Sequence, residues 1–214
     1  MHETLLFFLS FLFLGLSHFF EILQQIDLHL LEWINHNRIR SLDHFFIFIT
    51  NIATVTTYSA AVILILYSII KKRFLLQRKS WLVLISLITT SAIIDSLKHI
   101  INRTRPFITD PSIHNLVNVT TPSFPSGHTG EVFVLATAIT LLFQKQKWCV
   151  LVVWIWAFLV AYTRLVLGVH YPSDVLASMV IGTVIGIAFP KFLIKRGFLQ
   201  HHIRWERLYS KWKE

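Results

Sequence analysis

Long apolar runs recur along this chain near residues 4–22, 52–70, 81–100, 129–143, 148–167 and 175–194, separated by short polar or basic stretches. A helix rises about 1.5 Å per residue and a bilayer's hydrocarbon core is about 30 Å thick, so each run predicts one membrane-crossing helix of about 20 residues. The fourth run, TGEVFVLATAITLLF, is short and is expected to extend backwards through the side chains that precede it. The first, LLFFLSFLFLGLSHFF, has no basic residue before it and no small-x-small cleavage site after it, which predicts a retained span. The run from Leu42 to Ile70 is longer than one perpendicular crossing needs. Its opening LDHFFIFIT mixes aromatics with Asp43 and His44 and is assigned to a surface-lying segment, with a single long tilted helix as the alternative.

Composition fits that pattern. Hydrophobic residues are 54% of 214, close to the roughly 120 that six spans require, and charged residues are only 14% where a soluble globule carries about 25%. The single Cys149 excludes a disulfide scaffold and a cysteine-based metal cluster. Disorder is excluded by the aromatic content and the long aliphatic runs.

A formal charge of +9 suggests nucleic-acid binding until the cations are placed. Five lie in KKRFLLQRK between the second and third runs, two in QKQK between the fourth and fifth, and seven after the sixth: Lys191, Lys195, Arg196, Arg204, Arg207, Lys211 and Lys213. All fourteen fall on one side of a six-span frame, and the positive-inside rule makes that side cytoplasmic, with both termini. The excess is therefore a topology signal, with lipid-headgroup attraction by the tail as a secondary role. Nothing calls for a nucleic-acid partner.

The remaining cations are Arg38, Arg40, Lys98, Arg103, Arg105 and Arg164, all on or near the opposite side. Charges at membrane depth are costly and tend to mark function. Three clusters hold four of them. Lys98 to Pro106 closes the third span, with Pro106 limiting helix continuation beyond Arg105. Pro122-Ser-Phe-Pro125-Ser126-Gly127-His128-Thr129 opens the fourth span, where a helix start exposes unpaired amide groups suited to an anion. Thr163-Arg164 through Gly168, His170, Tyr171, Pro172, Ser173 and Asp174 joins the fifth span to the sixth, with Ser173 expected as the helix cap.

The frame puts all three clusters on one face. Two histidines and an aspartate are a conceivable zinc set, but Lys98, Arg105 and Arg164 would repel a cation there. They suit an oxyanion, and arginine offers phosphate a bidentate fork. One imidazole attacking phosphorus, another protonating the departing oxygen and an aspartate orienting the first describe a phosphoryl transfer without metal or other cofactor.

These clusters resemble the signature of the type-2 phosphatidic acid phosphatase (PAP2) superfamily of integral membrane lipid phosphatases: Lys-x6-Arg-Pro, Pro-Ser-Gly-His, and Ser-Arg-x5-His-x3-Asp. Lys98 with Arg105-Pro106 matches the first, Pro125-Ser126-Gly127-His128 the second, and Arg164, His170 and Asp174 the third, with Thr163 where serine is usual. The resemblance implies an all-α, six-span bundle of the acid-phosphatase type with its active site at the periplasmic face. It implies one phosphatase domain over residues 1–196 and a basic cytoplasmic tail over 197–214, in a bacterial cytoplasmic (inner) membrane.

By position, the resemblance makes His170 the nucleophile, Asp174 its orienting partner and His128 the general acid. Lys98, Arg105, Arg164, Ser126 and the Gly127 amide would hold the phosphoryl group, with Thr163 and Asp95 as possible auxiliaries. The implied reaction is hydrolysis of a lipid phosphate or diphosphate, undecaprenyl diphosphate first, with lipid A or phosphatidylglycerophosphate as alternatives and no obligate protein partner. A non-enzymatic phosphate or anion transporter is the competing class; it needs no nucleophile and would line a route across the membrane.

Other polar residues receive plainer expectations. His18, His36, His44 and His114 read as interfacial, His99 as structural, Arg103 as water-facing, and Tyr171 as part of the interfacial aromatic belt. Asp95 either pairs with Lys98 three residues on or simply faces the bundle. Glu131 is more readily an ordinary polar residue than a partner of His128. The loop from Phe107 to Phe124 is the expected source of headgroup selectivity.

Overall fold

The computed structural model describes residues 21–197, and every described regular element is helical. All but the last two residues of the expected first span, and all but the first residue of the basic tail, lie outside the described residues. A first helix, α1, covers residues 21–36. After a short 3-10 turn at Arg40–Leu42 come α2 (Asp43–Ile70), α3 (Phe74–Ile101), the single turn α4 (Pro106–Thr109), α5 (Gly127–Leu142), α6 (Lys147–Val166) and α7 (Pro172–Lys195).

Four segments, containing α2, α3, α6 and α7, are long and apolar enough to cross a membrane, and α5 is a shorter apolar helix. Between 22% and 39% of the apolar windows of those four is buried inside the bundle, so most of each must face lipid. Exposed Val55, Ile63, Ile88, Val152, Ile155, Val180 and Val184 form that outer surface. This is the all-α membrane fold the apolar runs called for.

The start of the second span departs from expectation. Residues 43–50 do not form a separate surface segment: α2 is one helix of 28 residues, about 42 Å long, with Phe46, Ile49 and Thr50 buried against the bundle. Asp43 in its first turn takes Arg38 in an ion pair at 3.1 Å, which explains a charged residue before an apolar helix. The polar start is thus the helix N-terminus, where a carboxylate is favourable.

Helix α5 is the central element, buried on nearly every side by α2, α3, α6 and α7. It packs tightly on α7 at Gly182, where a Cβ would stand 2.6 Å from the Gly130 carbonyl oxygen. At 16 residues, about 24 Å, it is shorter than its neighbours. Lys79 near the start of α3 donates to the Leu142 carbonyl at the end of α5 (2.6 Å), which sets the two helices' relative level. The first turn of α5 therefore stops alongside the last turns of α3, recessed below that helix's end. The loop from Asp110 to Ser126 covers it.

Candidate active site

Four helix ends meet in this recess: the C-terminal ends of α3 and α6 and the N-terminal ends of α5 and α7. Each ends where its local chemistry requires. Asn102, in the left-handed region at φ 46°, turns the chain out of α3, and Pro106 begins α4 with its missing N–H at the first helical position. Gly168, at φ +69°, turns the chain after α6 where a Cβ would meet the His114 carbonyl oxygen at 2.7 Å. Pro172 opens α7.

Five ionisable side chains of the recess are almost wholly enclosed: Lys98, Arg105, Arg164, His170 and Asp174 are 8, 3, 4, 2 and 0% exposed. Three enclosed cations against one enclosed carboxylate leave a local excess of positive charge. Burial of that kind demands a compensating anion.

Arg105 is the pivot. Its Nε donates to the Thr121 carbonyl (2.8 Å), Nη2 to Thr121 Oγ1 (3.1 Å), and Nη1 to the Val169 carbonyl (2.6 Å). The same Nη1 lies 3.1 Å from His170 Nε2. Because a guanidinium can only donate, His170 Nε2 accepts, which assigns the ring proton to Nδ1. Nδ1 faces Asp174 Oδ2 at 3.5 Å, ion-pair range but too long for a well-made hydrogen bond. The His170 ring is held well below its ordinary pKa, first by burial and then by Arg164 and Arg105, with Asp174 opposing them. The result is a neutral imidazole whose Nε2 lone pair looks into the recess.

Asp174 is heavily engaged. Oδ2 accepts from Ser123 Oγ (2.5 Å) and from the Tyr171 amide (3.0 Å), and Oδ1 accepts from Arg103 Nη1 (2.6 Å). Reaching back to the Tyr171 amide, it caps the helix that carries it. Ser173, the expected cap, instead turns its amide and hydroxyl to Asp27 of α1.

Two cations retain unused donors. Lys98 Nζ gives one proton to the Pro122 carbonyl (2.7 Å). Arg164 Nη1 donates to Thr50 Oγ1, while its buried Nε has no partner. An orphaned guanidinium N–H is rare in a folded interior and marks a place for an acceptor. At the start of α5, Ser126 Oγ lies 3.0 Å from Thr129 Oγ1, and a Cβ on Gly127 would meet nothing within 4 Å. The start of α5 thus presents open space next to backbone amides. His128, in the same turn, is close enough to Arg164, Lys98 and Arg105 to feel all three charges. Together these groups can hold a tetrahedral oxyanion against an unprotonated imidazole nitrogen.

The structure thus gathers Lys98, Arg105, Ser126, Gly127, His128, Arg164, His170 and Asp174 from three sequence clusters into one recess. Two other candidates stay out. Thr163 spends its hydroxyl on the Val160 carbonyl one turn back (2.6 Å), and Asp95 is exposed with its own carbonyl accepting from His99 Nδ1 (2.7 Å). Glu131 is turned away into a membrane-depth hydroxyl network, accepting from Thr54 Oγ1 (2.8 Å) and Ser91 Oγ (3.1 Å).

Two expectations are reversed. Arg103 does not face water: it bridges Asp174 and Asp27 with its guanidinium 3.8 Å over the Tyr171 ring. Tyr171 is buried beneath it rather than lying in an interfacial belt, its hydroxyl donating to Thr109 Oγ1 (2.9 Å). Sequence reasoning also missed Asp27, Thr50, Thr121 and Ser123. Only Asp27 carried a signal, as an acidic residue four positions before Leu31 and eight before Asn35 on one face of a helix.

Comparison with known proteins shows the family and the fold. Residues 79–198 match the family model of the PAP2 superfamily. The chain is 33% identical over 172 residues to the lipid A 4'-phosphatase of Bacteroides thetaiotaomicron, covering 76% of this chain and 74% of that protein. It is 31% identical over 182 residues to the undecaprenyl-diphosphatase of Sulfolobus acidocaldarius, covering 82% and 84% respectively. The crystal structure of a transmembrane PAP2-type phosphatidylglycerolphosphate phosphatase from Bacillus subtilis shares the fold, with a TM-score of 0.69 over 91% of this chain and 98% of that one at 24% identity.

Proposed function

The chain belongs to the PAP2 superfamily, and from that premise we propose that it is a multi-pass membrane phosphatase removing the terminal phosphate of a lipid phosphate or diphosphate by way of a phosphohistidine. The observation that carries this reading is the enclosed His170 Nε2. It is an unprotonated nucleophile held at the centre of three buried cations, one of which has a donor with no acceptor.

In the proposed reaction the phosphate enters with its oxygens toward Lys98, Arg105, Arg164 and the amides at the start of α5. Arg105 Nη1 exchanges His170 Nε2 for a phosphate oxygen, freeing the lone pair. Nε2 then forms a bond to phosphorus as the bond from phosphorus to the leaving oxygen breaks, and His128 gives that oxygen a proton. Asp174 faces the imidazolium-like ring that results. The cations hold the charge on the three equatorial oxygens. Water then attacks the phosphohistidine, giving its proton to His128, and inorganic phosphate leaves with Nε2 restored.

The full reading is a single phosphatase domain over residues 1–196 with six spans, the first near 4–22, and a basic tail beyond. The basic end lies in the cytoplasm and the recess opens at the outer face. Undecaprenyl diphosphate is the first substrate choice; a lipid A phosphate stands beside it, because the lipid A 4'-phosphatase above is matched over most of its length. A transporter reading is disfavoured because the enclosed cations gather at one end of the bundle.

The test is phosphate release by purified protein in detergent with EDTA, over a panel of undecaprenyl diphosphate, lipid A, phosphatidylglycerophosphate and phosphatidate. Turnover is expected, and loss of it in His170→Ala and His128→Ala. Retained activity in His170→Ala would remove the nucleophile assignment; no turnover on any lipid would return the transporter reading to first place.

A further inference from the structure

A second set of charges lies behind the recess, and the proposed reaction leaves it unused. Helix α1 turns one face inward: Asp27, Leu31 and Asn35, spaced four residues apart, are buried. Elsewhere on the helix Ile22, Ile26, Leu30 and Trp33 are exposed apolar residues among polar ones, as expected of a helix lying along a membrane interface. Asn35 ties this helix to the bundle, its amide donating to the His114 carbonyl (3.0 Å) and the Val166 carbonyl (2.9 Å) while its oxygen accepts from the His114 amide (2.8 Å).

Asp27 reaches further in. Its Oδ1 accepts from the Ser173 amide (2.9 Å), and its Oδ2 from Ser173 Oγ and from Arg103 Nη2 (2.8 Å). The other arm of the Arg103 fork, Nη1, donates to Asp174 Oδ1 (2.6 Å) and Ser173 Oγ (2.7 Å). An unbroken chain of contacts thus runs from α1 to His170: Asp27, Arg103, Asp174, then the ring. A planar guanidinium with both arms engaged and its face on Tyr171 has one geometry available, which a lysine could not reproduce.

The geometry points to Arg103, held by Asp27, as a positioning residue for the Asp174–His170 pair. It fixes Asp174 by Oδ1 so that Oδ2 faces His170 Nδ1, and it draws off part of that carboxylate's charge. Asp174 can then orient the ring without making it basic enough to hold a second proton. This inference rests on His170 being the nucleophile.

A purely mechanical role, fastening α1 to the bundle, predicts something different, and the sign of a pH shift separates the two. The charged and titratable groups facing the pair are Lys98, Arg103 and Arg105 from α3 and its exit, His128 from α5, Arg164 from α6, Tyr171 from the turn before α7 and Asp27 from α1. Removing Arg103 takes away a cation, so Asp174 favours the imidazolium more and His170 gains its proton at higher pH. Neutralising Asp27 leaves the Arg103 charge directed at Asp174 alone, so His170 gains its proton at lower pH. Positioning therefore predicts opposite shifts, whereas loosening α1 moves both variants the same way.

The experiment uses the full chain in detergent. It measures kcat and kcat/KM against pH on the lipid phosphate that wild type turns over fastest, beside a 15N NMR titration of the histidine rings with the His170 signal assigned by its loss in His170→Ala. For Arg103→Ala the acidic limb should move up by about one pH unit, with kcat down roughly 10- to 100-fold and KM within about threefold. Asp27→Asn should move the limb down by about half a unit. Arg103→Lys keeps the charge, so it should hold the limb near wild type while losing part of kcat. An unmoved limb in Arg103→Ala, or same-direction shifts in Arg103→Ala and Asp27→Asn, would overturn the inference. If wild type turns over no lipid, the phosphatase reading fails by itself, and the His170 titration still decides the positioning of the ring.

Discussion

The two ends of this bundle are both basic, and they use the same side chains for opposite purposes. At one end Lys71, Lys72, Arg73, Lys145 and Lys147 are exposed, each free to keep its own water. At the other, Lys98, Arg105 and Arg164 are enclosed, held by carbonyl and hydroxyl groups and one imidazole nitrogen. A solvated cation has little to gain from a phosphate in salt water, because ions and solvent screen it. A desolvated one, fixed in advance by neutral acceptors, has already lost its hydration and gains far more when an anion arrives. Composition counts the two sets alike; burial separates cations that keep their water from cations suited to an anion.

The sharpest way to break that contrast is at His170. His170→Ala removes the atom that would bond to phosphorus while leaving every cation in place. We expect kcat to fall by about 10⁴-fold or more, with lipid phosphate still retained by the protein. Released phosphate and equilibrium binding measured on the same preparation check this. Retention without turnover would mean that binding and chemistry at this end are separable.

Arg164→Met comes next. It removes an enclosed cation whose Nε has no acceptor and replaces it with an unbranched apolar side chain. The expected loss in kcat/KM is about 10²- to 10³-fold. Stability should move the other way: without substrate, relieving an uncompensated buried charge raises the unfolding temperature in detergent. A variant both inactive and less stable would show that Arg164 serves the fold. The same change at exposed Lys72 should alter neither quantity.

Smaller effects should follow pH. Since the His170 ring is held well below its ordinary value, it stays neutral while an exposed histidine would already be charged. Between pH 6.5 and the lower folded-state value, the unfolded chain binds a proton on this residue that the folded chain does not. Stability from this group is thus complete above about pH 6.5 and declines as pH falls through that window. The acidic limb of kcat/KM should likewise fall below the ordinary histidine value. A limb at or above pH 6.5 would place His170 in contact with water and undo its contrast with the exposed end.

The membrane helices and the members of the recess were legible because their signals are local: apolar runs of span length, cations with no reason to sit beside a membrane, a proline-glycine helix start. The spacing from Lys98 to Arg105 and from Arg164 to Asp174 carries the site across its loops. What escaped was set by partners far along the chain. Arg103 looks water-facing until Asp27, from a helix that begins the described residues, supplies its second carboxylate. Tyr171 looks interfacial until that guanidinium covers it. Thr50 lies in a stretch that reads as surface because Asp43 and His44 precede it, yet Asp43 is satisfied by Arg38 and the helix runs on unbroken. Pairings of this kind have no periodicity for a sequence pattern to show.

The smallest catalytic effect is expected at the exposed end, and it tests the orientation of the whole molecule. Neutralising Lys71, Lys72 and Arg73 to glutamine touches nothing in the recess, and kcat per correctly inserted molecule should stay within about twofold of wild type. Orientation should change instead, since cations near span ends are what hold a loop in the cytoplasm. Cys149 reports it directly: it is the chain's single cysteine and lies exposed in the first turn of α6, at the same end as those cations. In right-side-out vesicles a membrane-impermeant maleimide should leave wild-type Cys149 unlabelled until the vesicles are opened. The triple variant should show a labelled fraction before opening, matched by an equal fractional loss of activity toward substrate in the outer leaflet. Full labelling of wild type in sealed vesicles would put the basic end outside and turn the recess toward the cytoplasm.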